Sequence, residues 1–310
     1  MSRIHEALKR AEEERENGVA AVSAPALRVE ESRSEFASSG PRVSEDDRSL
    51  KADSQSVSEP GDVDDGFLTA LPQQEWKPDL KRMLFMDRSR HYDPGMEEFR
   101  TLRSRLYQLK EKTKSLRTIM VASALPGEGK TFVSTNLAQA LVRQHGRRVL
   151  LIDADVRKPH MHQSLGAAEA PGLVDYLSGS LNQESVVQRG PLDNLFFIPG
   201  GKAVSNPSEL IANGRLKALL ENMRNLFHWI IVDSSPVVPV SDATLVASAC
   251  DGVLLVLQAD TTPVTIAQKA RQEFKNIPIL GVVLNRSKES PAESSYYYSY
   301  GRNRTFEQNS

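Results

Sequence analysis

From residue 118 onward the chain alternates short, wholly apolar runs with longer stretches in which apolar positions return every three or four residues. The runs lie at 118–122, 149–152, 195–198, 229–232, 253–257 and 279–284, and several are rich in Val and Ile. A run that is apolar at nearly every position, rather than at every second one, predicts a strand buried on both faces. Helical patterns fill the spaces between them at 131–144, 208–225, 242–249 and 264–274. One more helix is predicted ahead of the first strand. Asp93-Pro94 pairs a cap with a proline at the first helical position, where a missing N–H costs nothing, and the pattern runs on to about Lys112. Strands that alternate with helices need crossover connections, so the fold class is α/β: a mainly parallel sheet with helices on both faces. A ligand of such a sheet sits at the carboxyl ends of its strands.

The first third of the chain reads differently. Residues 2–16 fit a short amphipathic helix, capped by Ser2, carrying Ile4, Ala7, Leu8 and Ala11 on one face and stopped by Asn17-Gly18. A helix this short is marginal alone, so it frays or docks on a partner. Residues 31–66 are crowded with Ser, Glu, Asp and Pro, have Phe36 as their only aromatic, and predict disorder. The expected organisation is a helix at 1–17, a linker at 18–87 with Trp76 and Phe85 touching the domain, an α/β domain at 88–288 and a flexible tail at 289–310.

Charge and cysteine content narrow the picture. The net charge of −1 over 310 residues gives no footprint for nucleic acid. The single cysteine, Cys250, cannot form an intramolecular disulfide, which fits a cytoplasmic, reducing setting and a buried core thiol. No run approaches the ~20 apolar residues of a membrane helix, and no signal peptide opens the chain, so any work at a membrane calls for another polypeptide to hold the protein there.

The chemistry begins where the first strand ends. Ala124-Leu125-Pro126-Gly127-Glu128-Gly129-Lys130-Thr131 has the spacing of a phosphate-binding loop, with Ala124 where the usual pattern opens on glycine. Pro126, Gly127, Glu128, Gly129, Lys130, Thr131 and Phe132 form the cradle, and its backbone N–H groups from Gly127 onward would curl around phosphates. Lys130 would reach the outer ones, Thr131 would ligate Mg²⁺, and the helix start adds its positive dipole end. The predicted fold is therefore a P-loop NTPase, with ATP and Mg²⁺ as the implied ligands. Two further strands end in acid: 149–152 runs into Asp153-Ala154-Asp155, and 229–232 into Asp233. Carboxylates at the mouth of a buried sheet are costly unless a cation compensates them. Thr131, Asp153 and Asp233 form the candidate metal set. Asp153 is the first candidate for the base in phosphoryl transfer, with Asp155 as a second metal-shell ligand or alternative base. Arg157 pairs with these acids, with phosphate, or at the surface. His160 and His162 lack further ligands nearby and do not read as a metal site. Asn285 and Arg286, after the last run, edge an adenine pocket or simply form a turn.

Together these segments resemble the bacterial tyrosine kinases, the P-loop autokinases associated with exopolysaccharide and capsule assembly. The likeness runs from about Tyr92 to the C-terminus. It includes the 126–131 loop, Asp-x-Asp-x-Arg-Lys-Pro at 153–159, the strand ending at Asp233, the 199–201 and 206–210 stretches, and Glu97-x-x-Arg100-x-x-Arg103. Four of the seven tyrosines, Tyr296, Tyr297, Tyr298 and Tyr300, lie within five residues near the end of the chain, on a polar segment suited to phosphorylation rather than packing. The resemblance implies autophosphorylation of that cluster in trans. It also implies ring-like homo-oligomerisation through Glu97, Arg100 and Arg103, although on spacing alone a solvated face with local ion pairs fits equally. Relatives carry a transmembrane activator of the polysaccharide co-polymerase type, fused or separate. None is fused in this sequence, so a separate one is expected to recruit the protein to the inner face of the membrane. Two other functions fit less well. A partitioning or septum-positioning ATPase of the ParA/MinD type usually has lysine where this loop has Leu125, and a non-catalytic ATP-binding scaffold would not need the intact Lys130, Thr131, Asp153 and Asp233.

Overall fold

The computed structural model describes residues 66–86, 93–144 and 146–287. The expected helix at 2–16 and the tyrosines of the tail lie outside the described residues.

In chain order the elements are α1 (Gly66–Ala70), α2 (Pro94–Lys112), β1 (Thr118–Ser123), α3 (Lys130–Val142), β2 (Val149–Asp153), α4 (Met161–Leu165), α5 (Leu173–Leu177), β3 (Gln188–Arg189), β4 (Leu195–Ile198), α6 (Pro207–Ala212), α7 (Arg215–Met223), β5 (Trp229–Asp233), α8 (Asp242–Ala247), β6 (Gly252–Gln258), α9 (Val264–Glu273) and β7 (Ile279–Asn285). The strands form one seven-stranded sheet in the order β3-β4-β2-β5-β1-β6-β7. Every neighbouring pair is parallel except β3 and β4. All six expected strands are present, and the short β3 at the edge adds the antiparallel pair.

The wholly apolar runs have the predicted cause. Successive residues of each central strand go to opposite faces: Ile119 and Val121, Val149 and Leu151, Trp229 and Ile231 join one cluster, while Met120 and Ala122, Leu150 and Ile152, Ile230 and Val232 join the other. Helices α2 and α3 cover the first face; α5, α7 and α8 cover the second. The start of α2 is as expected, with the Asp93 carboxylate accepting the Gly95 N–H at 2.8 Å. The pattern at 208–225 is not one helix. It breaks at Gly214, whose φ of 82° lies in the left-handed region, and both pieces keep an apolar side on the same cluster through Ile211, Leu216, Leu219 and Met223.

Residues 66–86, part of the stretch expected as linker, form a strap packed on the domain. Trp76, Met83, Leu84 and Phe85 are buried in the α2–α3 cluster. Backbone bonds fasten the strap at Lys77 N to Gly166 O and Asp79 N to Ser164 O, both 3.1 Å. From α3, Asn136 accepts the Leu84 N–H at 2.9 Å and donates to the Arg82 carbonyl at 2.8 Å. The aromatic content of the strap is thus core, beyond the surface touch that the sequence suggested.

Candidate nucleotide-binding site

The site grows from the register of three adjacent strands. β5 lies between β1 and β2 in the sheet, and Asp153 is paired in register with Asp233. The tips of β2 and β5 therefore flank the loop that follows β1. Within that loop Gly127 and Gly129 take φ of 83° and 96°, which side-chain-bearing residues rarely adopt. A Cβ on Gly129 would also lie 2.1 Å from Asn285 Nδ2. That amide donates to the Glu128 carbonyl at 2.8 Å, so the end of β7 clamps the loop in place.

The expected phosphate-loop residues divide into two groups. Pro126, Gly127, Gly129, Lys130, Thr131 and Phe132 line a cavity of about 1010 Å³. The Glu128 side chain instead turns inward, only 3% exposed, accepting the Leu125 N–H at 2.8 Å and the Thr262 hydroxyl. Glu128 braces the curve of the loop from behind.

Lys130 Nζ lies 3.1 Å from Asp155 Oδ2 and 3.8 Å from Asp233 Oδ2. Burial opposes its charge, but the carboxylates of Asp233, Asp155 and Asp153 outweigh that and hold the ammonium above its ordinary range. The Thr131 hydroxyl donates to Asp233 Oδ2 at 2.6 Å, and Ser134 donates to the other oxygen at 3.0 Å. Burial pushes the Asp233 carboxyl up against the pull of Lys130 and these two donors. Asp153 is fully buried: Oδ2 accepts the His160 and Met161 N–H groups at 3.1 and 3.0 Å, and Oδ1 accepts that of Asp155 at 3.2 Å. Desolvation, with the charge of Asp233 added, raises its carboxyl to about 7. Of the two acids at the end of β2, Asp155 is the one that lines the cavity, while Asp153 stands behind it and holds the 153–161 loop. Asp153, the first candidate for the base, thus spends both carboxylate oxygens on backbone N–H groups, and Asp155, the alternative, faces the cavity.

A magnesium ion with a triphosphate fits this donor set. Mg²⁺ usually takes one or two protein oxygens and fills its octahedron with phosphate and water. Thr131 presents a hard oxygen to the cavity, oriented by Asp233. Among the described residues no group of three or more His, Cys, Asp or Glu is placed to hold an ion unaided.

Several residues enter the site with little warning from the sequence. His160 Nε2 lies 3.3 Å from Thr131 Oγ1 and its Nδ1 lies 2.8 Å from the Lys158 carbonyl, so it flanks the candidate metal-ligating hydroxyl. Arg82 from the strap and Ser235 after β5 also line the cavity. Arg157 pairs with neither Asp153 nor Asp155. Its guanidinium is bonded to the buried Asp242, with Nη2 to Oδ1 at 3.1 Å, and to the Ser208 hydroxyl at 3.0 Å. Glu97 and Arg100 form an exposed pair at 2.7 Å within α2, and Arg103 donates to the Ala140 carbonyl at 2.9 Å. Asn285 is the loop clamp, and Arg286 at the cavity edge donates to Gln258 at 3.3 Å.

The CobQ/CobB/MinD/ParA nucleotide binding domain matches residues 119–301. The tyrosine-protein kinase CpsD of Streptococcus agalactiae is 35% identical over 192 residues, which make up 61% of this chain and 83% of CpsD. The chain belongs to the bacterial tyrosine kinases. Among the solved structures of such kinases, the kinase domain of Escherichia coli tyrosine kinase ETK superposes with a TM-score of 0.64 at 29% identity, over 72% of this chain and 86% of that one. The Ralstonia solanacearum protein EpsB is 33% identical over 262 residues, 80% of this chain. This bacterial tyrosine kinase chain spans only 35% of the length of EpsB. Its strand–loop–helix cradle and acid-tipped strands are the parts expected of a P-loop nucleotide site. No helix among the described residues is long and apolar enough to cross a membrane.

Proposed function

We propose that this chain is an ATP-dependent protein-tyrosine kinase that phosphorylates the cluster Tyr296, Tyr297, Tyr298 and Tyr300 of a neighbouring copy. The observation that carries the reading is the convergence of Lys130, Thr131 and Asp155 on one cavity of about 1010 Å³, with the buried Asp233 bonded to Thr131 and beside Lys130 behind its wall. Bound MgATP would supply an activated terminal phosphoryl group. Lys130 would neutralise charge on the outer phosphates, Thr131 with Asp233 behind it would hold Mg²⁺, and the loop amides would fix the register. Asp155, at the cavity wall, accepts the proton of the incoming phenol as its oxygen bonds to phosphorus and ADP leaves. Asp153 is a positioning residue that keeps Asp155 and His160 at the rim.

A buried active site fed by a polar tail favours transfer between copies, and Glu97, Arg100 and Arg103 on α2 supply the contact between them. Its role on this reading is in exopolysaccharide or capsule assembly, in the cytoplasm at the inner face of the membrane, recruited by a transmembrane activator of the polysaccharide co-polymerase type; the likeness to CpsD and EpsB supports it. Trans transfer is tested by mixing. A Lys130→Met chain with its tyrosines intact is incubated with ATP and a chain whose four tail tyrosines are Phe. Phosphotyrosine on the Lys130→Met chain is the expected result, and none there sinks the trans reading. ATP hydrolysis without labelled tyrosine in the wild type would point instead to a positioning ATPase, and neither activity to a scaffold.

A further inference from the structure

Ser235 carries a buried hydroxyl. It is 3% exposed, and its Oγ has no hydrogen-bond partner among the described residues. Neighbouring Ser234 is satisfied, donating to the Val121 carbonyl and the Ser235 carbonyl, both at 3.1 Å. The backbone around Ser235 is held firmly, with Val237 N bonded to Ser123 O at 2.9 Å and Val238 N to Ala124 O at 3.2 Å. Burying an unpartnered polar group is costly, and such groups are rare in folded proteins. A side chain that was only filling space here would be better as alanine.

The position of Ser235 indicates what the hydroxyl waits for. The residue lines the nucleotide cavity together with Pro236, Pro239 and Val240, whose side chains offer no acceptor, and its Oγ, covered as it stands, would meet a ligand there by turning about the Cα–Cβ bond. It follows the tip of β5, between the phosphate loop after β1 and the Asp153–Asp155 segment after β2. On the nucleotide reading, that would be the boundary between the donor phosphates and the acid facing the acceptor. Resting on the nucleotide reading above, we infer that Ser235 is a substrate-binding residue whose hydroxyl donates to a terminal phosphoryl oxygen of the bound triphosphate. It adds a neutral donor to a site otherwise dominated by charge, and it distinguishes a triphosphate from a diphosphate.

The test uses the full chain as wild type, Ser235→Ala and Ser235→Thr, with thermal unfolding and calorimetry against MgADP and against a magnesium complex of a non-hydrolysable ATP analogue. The nucleotide-free Ser235→Ala protein is expected to melt at or above the wild-type temperature, because an unsatisfied hydroxyl has been removed. Its affinity for MgADP should stay within about twofold, while that for the triphosphate analogue falls about tenfold, equivalent to about 1.4 kcal/mol. Ser235→Thr keeps a donor and should retain most of the preference for the triphosphate. Lower melting without nucleotide, combined with unchanged analogue affinity, would make Ser235 a packing residue and overturn the inference. Equal weakening of both nucleotides would also overturn it, placing the hydroxyl elsewhere on the ligand. Failure of the wild type to bind either nucleotide is a different result: it removes the kinase reading, and this inference with it.

Discussion

The phosphate cradle and the strap at 66–86 are both buried, and they are held in place by opposite means. In the cradle, one ammonium stands among three carboxylates, and each carboxylate oxygen described above has a donor or a cation against it. In the strap, Phe85 packs edge-on against Phe99 with ring centres 6.4 Å apart, Trp76 packs against Phe197 at 5.9 Å, and Asn136 supplies the main polar anchor. Burying charge stabilises a fold poorly compared with burying the same area of hydrocarbon. The cradle is therefore built for a ligand, and the strap for stability. Arg82 joins the two, because its backbone is held by Asn136 and its side chain lines the cavity.

The largest expected effect falls on the strap. Phe85→Ala removes a fully buried ring and should cost about 3–5 kcal/mol of stability, read by urea unfolding. The transfer rate per folded molecule should change by less than about threefold, since the ring lies outside the cavity. A loss of MgATP affinity in the folded fraction would break the division and make the strap part of the binding site through Arg82.

The converse change is Lys130→Met, which should lower tyrosine phosphorylation about 10²–10³-fold, comparable to about 2.7–4 kcal/mol on the barrier. The nucleotide-free fold should tolerate it better than Phe85→Ala. The acids left without their cation can take up protons, and Asp153 is already raised to about 7. Unfolding measured beside the rate tests both halves of that statement.

Asp153 gives the cradle a pH signature. Its folded carboxyl titrates near 7 and an unfolded aspartate near 3.9, so between those values the folded state binds the extra proton. The contribution is present at acid pH and is lost as pH rises through that window. In metal-free buffer, stability from this group should fall by on the order of 2 kcal/mol between pH 5 and pH 8, and Asp153→Asn should flatten the slope. An equal slope in that variant would show that Asp153 is ionised in the native protein at both pH values.

Legibility in the sequence follows the same division. The strands could be read because a parallel sheet covered on both faces demands apolar residues at nearly every position, and the acids stood out because they end such runs. The strap could not be read that way. Trp76, Met83 and Phe85 follow neither a period of two nor one of 3.6, because each fills a separate hollow beside α2, α3 or β4. Glu128 was misleading for a related reason: its hydroxyl partner, Thr262, comes 134 residues later, and no local pattern announces it. The places of His160 and Ser235 at the cavity depend on which strand tips lie side by side, which no local pattern carries. The Gly214 break escaped notice because α6 and α7 keep a common apolar side across it.

The smallest effect concerns α2, where intrachain contacts and a proposed contact between copies make different demands. Glu97 and Arg100 are 44% and 46% exposed in their side chains, and a solvated pair three residues apart contributes less than about 0.5 kcal/mol. Arg103 is bonded within its own chain to the end of α3, so it is oriented before any partner arrives. Arg100→Ala should leave unfolding of the dilute protein within about 0.5 kcal/mol of wild type. If the helix joins copies, the same substitution should lower the mass found by light scattering at high concentration, and slow trans phosphorylation with it. Unchanged stability with unchanged mass would leave the pair as a solvated feature of one helix. The contact that brings a tail to a neighbouring cavity would then have to be sought on another face.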